Sequence, residues 1–275
     1  MAGEIFYHYT NYQALDGILR SAQLRVNNVL RMNDAAEMRH FMVRLSSAIV
    51  KRLETDGSSH AQGVRRLFYE ELQKEYSAFA ACFSFRRDDA AQWERYGNGG
   101  RGVCIAFQGD LLRKLAAGPF SLHNVFYEDD MTDHPMVDSF CALIEGKSVL
   151  SGEDPDVQYA MRDAWACSVA FKHPSFSSED EVRLVVSPFG NEEFDLNPCY
   201  HISKERIKKY YPLDLREMCQ EAGAALEDLV EEIIIGPEST QSRSILQDYL
   251  TSQGLAALAD RVTLSDCPLR GMPKE

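Results

Sequence analysis

The sequence predicts an α+β domain, and three observations carry that reading. Short runs rich in β-branched and aromatic residues read as strands: EIFYHY at 4–9, AFAACFSF at 78–85, VCIAF at 103–107, EVRLVVS at 181–187 and EEIIIGP at 231–237. Between them lie longer stretches with apolar residues at helical spacing. The two kinds of segment do not alternate as a doubly wound parallel sheet requires, and no P-loop motif occurs.

The elements follow in order. After the first strand, Thr10 or Asn11 offers a side-chain oxygen to cap a helix through Ala14, Leu15, Ile18 and Leu19. Leu24, Val26 and Val29 mark an extended segment. LRMNDAAEM then turns into a second helix, with Asn33 or Asp34 as its cap and Glu37 close behind. Residues 36–77 read as helical apart from a loop at 56–60, with Met38, Phe41, Met42, Leu45 and Ile49 forming one apolar stripe. The texture changes at residue 78 to a unit of strand, short helix, glycines and strand. Residues 110–170 read as a mostly helical insertion, with a strand near 122–127, a flexible stretch near 150–157 and an amphipathic helix over 158–171. A helix through Ile245, Leu246 and Leu250 and a last strand at 262–266 complete a single domain over 1–275.

Composition bounds the function. The 275 residues suffice for a sizeable core, and 45% hydrophobic with 26% charged residues is ordinary for a folded chain. Forty-two acidic against 29 basic residues leave a formal charge of −13, which argues against bulk nucleic-acid binding. Lys204, Arg206, Lys208 and Lys209 form the dense basic patch, read as a solvated helix face. Seven cysteines at wide spacing include no CxxC pair. The N-terminus lacks a signal-peptide pattern, and no apolar run is long enough to span a bilayer, so a reduced cytoplasmic protein with free thiols is expected.

Three motifs hold candidate chemistry. In YHYTN, His8 is either a ligand for ribose hydroxyls or a strand histidine satisfied by backbone. In the segment 82–107, Trp93 and Tyr96 stand at i and i+3 and so share one helix face. They are either core residues or, with Ser84, Arg86, Gln92 and the glycines at 97, 99, 100 and 102, part of a site for a flat heterocycle; the glycines allow close backbone approach or a sharp turn. In KHPSFSSEDEVRLV, Glu179 and Glu181 at a strand start fall on one face, with Arg183 continuing the alternation. Two carboxylates so placed are expected to raise each other's pKa, and the alternative is an edge strand with solvated charges. Cys82 with His8 as nucleophile and base, and His123, Asp129, Asp130 and His134 as metal ligands, match no known spacing; no metal is expected.

The order of HYT, LRMNDAAEM, CFSF…QWERYGNGGRGVCIAF, K…SSEDEVRLV and EEIIIGP closely resembles the bacterial family known as domain of unknown function 2971, over roughly residues 5–240. That family resembles a remote branch of the ADP-ribosyltransferase superfamily. The resemblance implies a split antiparallel sheet holding NAD, as substrate, in a cleft. It also implies a site of three separated positions, which fall on His8, Tyr96 and Glu181. Glu181 would stabilise an oxocarbenium-like state, and Glu179 would orient or deprotonate the acceptor. His8, Tyr9, Thr10, Asn33, Asp34, Ser84, Trp93, Tyr96 and Arg183 become the ligand-contact candidates, with Arg31 nearby. The activity implied is ADP-ribose transfer to a macromolecule or water, by family analogy in a toxin or phage-defence role. The alternatives are a non-catalytic nucleotide-binding module of the same fold and a metal-dependent hydrolase or nuclease.

Overall fold

The computed structural model describes residues 3–29, 35–74, 78–116, 120–128, 130–147, 150–186, 198–202 and 207–269. The first strand, β1 (Ile5–Thr10), leads through Asn11 into α1 (Tyr12–Arg20), and the Asn11 side chain accepts from the Ala14 N–H at 2.9 Å, as the sequence predicts. Next come β2 (Gln23–Asn28), α2 (Ala35–Thr55), α3 (Ala61–Glu71), β3 (Phe79–Ser84), α4 (Ala90–Arg95), β4 (Val103–Gln108) and α5 (Gly109–Leu115). Then follow β5 (Phe120–Asn124), α6 (Pro135–Glu145), α7 (Pro155–Ser168), a 3-10 helix (Pro174–Glu179) and β6 (Glu181–Val186). The chain continues with β7 (Cys199–Ile202), β8 (Ile207–Asp214), α8 (Leu215–Glu221), α9 (Leu226–Leu229), β9 (Val230–Ile235), α10 (Arg243–Ser252), α11 (Ala256–Ala259) and β10 (Val262–Leu264).

The strands build one large open sheet in the order β10-β9-β4-β1-β3-β2-β8-β7, with β6 on the other side of β3 and β5 beyond it. Every pairing is antiparallel except β9 with β10. The junction at β3 matters most for the site. Along one edge β3 pairs with β6 over its whole length, from Phe79↔Val186 to Ser84↔Glu181. Its other edge is divided between two strands. β1 meets it at Tyr7↔Ser84, and β2 meets it at Asn27↔Ala80 and Asn28↔Phe79. The sheet therefore opens between β1 and β2 opposite Ala81–Phe83.

Both faces of the sheet are covered. Phe6, Leu24, Val26, Phe79, Phe83, Val182 and Leu184 share one core with residues of α1, α5 and α8 to α11. Ala80 and Val185 belong to a second core with α2, α3, α6 and α7. Each fully buried Phe or Leu contributes roughly 1.5–3 kcal/mol of transfer free energy. Because the two layers sandwich β6, all six of its residues are buried, and it runs between β3 and β5. The reading of β6 as an edge strand with solvated charges is thus overturned.

Other expectations need correction. Residues 110–170 are mostly helical, but their strand β5 joins the main sheet against β6, and α6 and α7 form half of the second core layer. The stretch expected to be flexible near 150–157 carries the start of α7, capped by Asp154 and tied by Lys147 to Asp154 and Asp156. Lys208 and Lys209 lie on strand β8, not on a helix face; Lys204 and Arg206 fall outside the described residues. Arg31, Asn33 and Asp34 also lie outside them. Among the described residues, no helix is long and apolar enough to cross a membrane. None of the seven cysteines, all among the described residues, forms a disulfide.

Candidate functional site

A cavity of about 170 Å³ sits where the sheet opens, lined by Tyr7, His8 and Tyr9 of β1, Arg25 and Asn27 of β2, and Ala80–Phe83 of β3. Gln92, Tyr96, Lys172, Glu179 and Glu181 complete it. His8, Tyr96 and Glu181, far apart in sequence, therefore meet at one place.

His8 takes over a role that a ladder bond would have filled. Its Nδ1 lies 2.9 Å from the carbonyl oxygen of Cys82, within the stretch of β3 facing the opening. A carbonyl only accepts, so Nδ1 carries the proton, and the neutral ring offers Nε2 as an acceptor. Burial pushes the His8 pKa below its ordinary value, and the bond to Cys82 opposes this only in part. Cys82 thus meets His8 through its carbonyl rather than its thiol, which does not make a nucleophile–base pair.

The two glutamates reach the cavity differently from the alternation expected of one strand. Glu179 ends the 3-10 helix, Asp180 turns the chain with φ 47, and Glu181 starts β6. The left-handed turn lets both carboxylates converge on the ammonium of Lys172, which donates to each. The Ser84 hydroxyl and the Gln92 amide both donate to the Glu179 carbonyl oxygen, at 2.6 and 3.1 Å, and the Tyr127 hydroxyl accepts from the Glu181 N–H at 2.9 Å. Buried backbone groups at the turn are thereby satisfied.

Each carboxylate is held by cations. Arg183 grips Glu181 with two bonds, Nε to Oε1 at 2.9 Å and Nη2 to Oε2 at 3.1 Å, and its Nη1 donates to the Val169 carbonyl at 2.7 Å. Burial alone would push the Glu181 carboxyl up. The Arg183 guanidinium, Lys172 and a bond from the Cys82 thiol outweigh it and hold the pKa at about 2. The expected mutual raising is therefore wrong for Glu181, because the cations outweigh its neighbour. Glu179 accepts through Oε1 from Arg95 and from the Tyr96 hydroxyl, each at 2.9 Å. Burial is the main cause that keeps the Tyr96 phenol protonated well above its ordinary range, and the nearby Glu179 adds to it.

The remaining candidates sort by position. Tyr9 and Thr10 lie on β1; Tyr9 lines the cavity and donates to the Arg86 carbonyl at 2.6 Å, while Thr10 lines the adjoining cavity. Ser84 is a support of the Glu179 turn, outside the cavity lining. Trp93 is core: fully buried, edge-on to Tyr9 at 4.9 Å, with its Nε1 donating to Asp88. Tyr96, the C-cap of α4, still donates its N–H to the Gln92 carbonyl as a helical residue does, but it lines the cavity, 45% exposed, where Trp93 is buried in the core. Arg183 lies behind Glu181 rather than on the cavity wall. The glycines serve the sharp turn: a Cβ on Gly102 would stand 2.1 Å from the Thr10 carbonyl oxygen, and none of the four lines the cavity. His134 caps α6, His123 bonds Ser121 and Asp130 bonds Thr132.

Lys172, Arg95 and Arg25 escaped the sequence reading. Lys172 stands at the head of the motif holding both glutamates and Arg95 inside QWERY, so the local signal was a basic residue flanking each acidic or aromatic candidate.

Residues 92–184 match the family model described as "Protein of unknown function (DUF2971)". The match supports the resemblance to the DUF2971 family and spans α4 to β6, so it takes in Tyr96, Lys172, Glu179 and Glu181. No curated protein and no solved structure matches the chain.

Proposed function

We propose that the cavity in the opened sheet binds NAD and that the chain is an ADP-ribosyltransferase-like enzyme, cleaving the nicotinamide–ribose bond. The observation that carries this reading is the convergence of His8, Tyr96 and Glu181 at the gap between β1 and β2. His8 Nε2 accepts from a ribose hydroxyl. Tyr96 stacks on the nicotinamide ring at the cavity rim. Glu181, ionised at neutral pH, stabilises the positive charge that grows on the sugar as the bond to nicotinamide breaks. The bonding electron pair leaves with nicotinamide. Water or an acceptor nucleophile then adds to the sugar carbon and loses its proton. Glu179 orients Tyr96 in this scheme rather than acting as base, since its oxygens already accept from Arg95, Tyr96 and Lys172.

A second reading is favoured by the clamp on Glu181. A carboxylate bonded twice by Arg183 and once by Lys172 presents a weakened field to a developing cation, which suits a module that binds the ligand without cleaving it. The same pairing leaves the glutamates poorly placed for a metal-dependent hydrolase.

The test incubates wild type, Glu181→Gln and Tyr96→Phe with NAD and follows free nicotinamide, with and without cell extract, while calorimetry measures NAD binding. Release by wild type that Glu181→Gln abolishes supports the enzyme, and dependence on extract separates transfer from hydrolysis. Binding without release supports the module. Absence of binding overturns both, and activity lost on adding a chelator points to the hydrolase.

A further inference from the structure

A second cavity of about 300 Å³ adjoins the first and shares His8, Tyr9, Arg25 and Asn27 with it. Its other walls come from Thr10 and the start of α1, from Gln23 and Leu24 of β2, and from His201, Lys208 and Tyr210 of the β7–β8 hairpin. Two features set it apart. In a chain with 42 acidic residues, no Asp or Glu is among its described lining residues. It gathers Arg25, Lys208 and His201, and neither Arg25 nor Lys208 has a carboxylate partner among the described residues. The Arg25 guanidinium instead stands over the Tyr210 ring, 5.2 Å from its centroid, which holds it in place without neutralising it.

We propose that this second cavity is an anion subsite that takes phosphate groups, with Arg25 and Lys208 as the ligating cations and His201 at its edge. Two exposed cations with no carboxylate partner among the described residues, beside polar Asn11, Asn27 and Thr10, match a diphosphate, which needs several donors and is repelled by a nearby carboxylate. The sharing of His8 and Arg25 means that one molecule can place its sugar in the central cavity and its phosphates here. The inference rests on a ligand in the central cavity only for the identity of the phosphate's source; the subsite itself stands on its own walls.

The experiment uses the full chain and its Arg25→Gln/Lys208→Gln double variant, two exposed positions outside both cores, with thermal melting as the folding check. Calorimetry measures inorganic pyrophosphate, NAD and nicotinamide riboside at two salt concentrations. The expected result is that pyrophosphate binds wild type and that the double variant binds it at least about tenfold more weakly, as loss of charge-assisted bonds requires. The affinity falls with salt, and nicotinamide riboside, which has no phosphate, is indifferent to Lys208→Gln alone, a position outside the central cavity. NAD weakened alongside pyrophosphate, and bound more tightly than it, assigns the subsite to a dinucleotide. Pyrophosphate binding lost in the variant while NAD never binds wild type keeps the subsite and overturns the NAD reading. Pyrophosphate that fails to bind, or binds both proteins equally, overturns the subsite.

Discussion

Replacing Glu181 with Gln is the substitution whose effect follows most directly from the geometry. Gln keeps the shape and one acceptor, but it removes the charge that Arg183 and Lys172 face in a buried site. A carboxyl held at about 2 in the folded chain, against 4.5 ordinarily, stabilises the fold by roughly 3 kcal/mol at neutral pH. The sign follows from the lowered value: the contribution is complete above about pH 4.5 and is lost as pH falls toward 2. Glu181→Gln is therefore expected to lose roughly 3 kcal/mol at pH 7, within the range for breaking one side of a buried ion pair. At pH 3 the difference from wild type shrinks to roughly half of that. Urea denaturation at pH 7, 5 and 3, read by circular dichroism, measures it. A loss below about 0.5 kcal/mol at pH 7, or one that stays constant down to pH 3, would refute the claim that the charge, and not the shape, holds this cluster together. The same loss means that any missing activity in this variant has to be read at a denaturant-free temperature where it is folded.

Three more expectations follow. Gly102→Ala places a Cβ against the Thr10 and Gly97 carbonyl oxygens and is expected to cost about 2–3 kcal/mol or more, whereas Gly17→Ala, mid-helix with nothing within 4 Å, should gain roughly 0.5–1 kcal/mol; paired thermal melts that show the same sign for both would contradict the packing described. Because burial lowers the His8 pKa, ligand binding that needs its neutral Nε2 should hold constant as pH falls from 8 through 6.5 and weaken only below, and a titration of NAD affinity centred at or above 6.5 would remove His8 from that role. Cys199 is exposed while Cys104 and Cys219 are buried, so a thiol reagent should label Cys199 fastest by peptide mass analysis, and Cys104 only after unfolding.

The local elements were legible because local rules make them. Asn11 caps α1, and the apolar stripe from Met38 to Ile49 marks α2. What failed depended on partners distant in sequence. Glu181 and Arg183 read as solvated charges because alternation on β6 says nothing of a second core layer covering the outer face. That layer comes from α2, α3, α6 and α7. The spacing of Trp93 and Tyr96 does not say that one enters the core and the other lines the cavity, which depends on what packs around each. His8, Tyr96 and the two glutamates, singled out from the sequence, line one cavity. Its electrostatics were not legible, since Lys172 acts on both carboxylates only after the Asp180 turn brings them together. The β7–β8 hairpin reads in the sequence as a helix face at Lys208 and Lys209, as its exposed Tyr200, Ile202 and Ile207 carry no alternation of buried and solvated positions.

The helix α1 joins the two strands between which the sheet opens, and this makes it a spacer. Leu15, Ile18 and Leu19 anchor it in the larger core, and the Leu215 N–H bonds the Ala22 carbonyl just beyond it at 2.7 Å. The width of the gap is thus set by the same packing that holds the whole domain, and not by anything that enters the gap. A ligand meets walls that are already in place, so little of its binding free energy is spent on ordering the protein. A change in the length of this one short helix would then alter the gap without changing any residue that lines the central cavity.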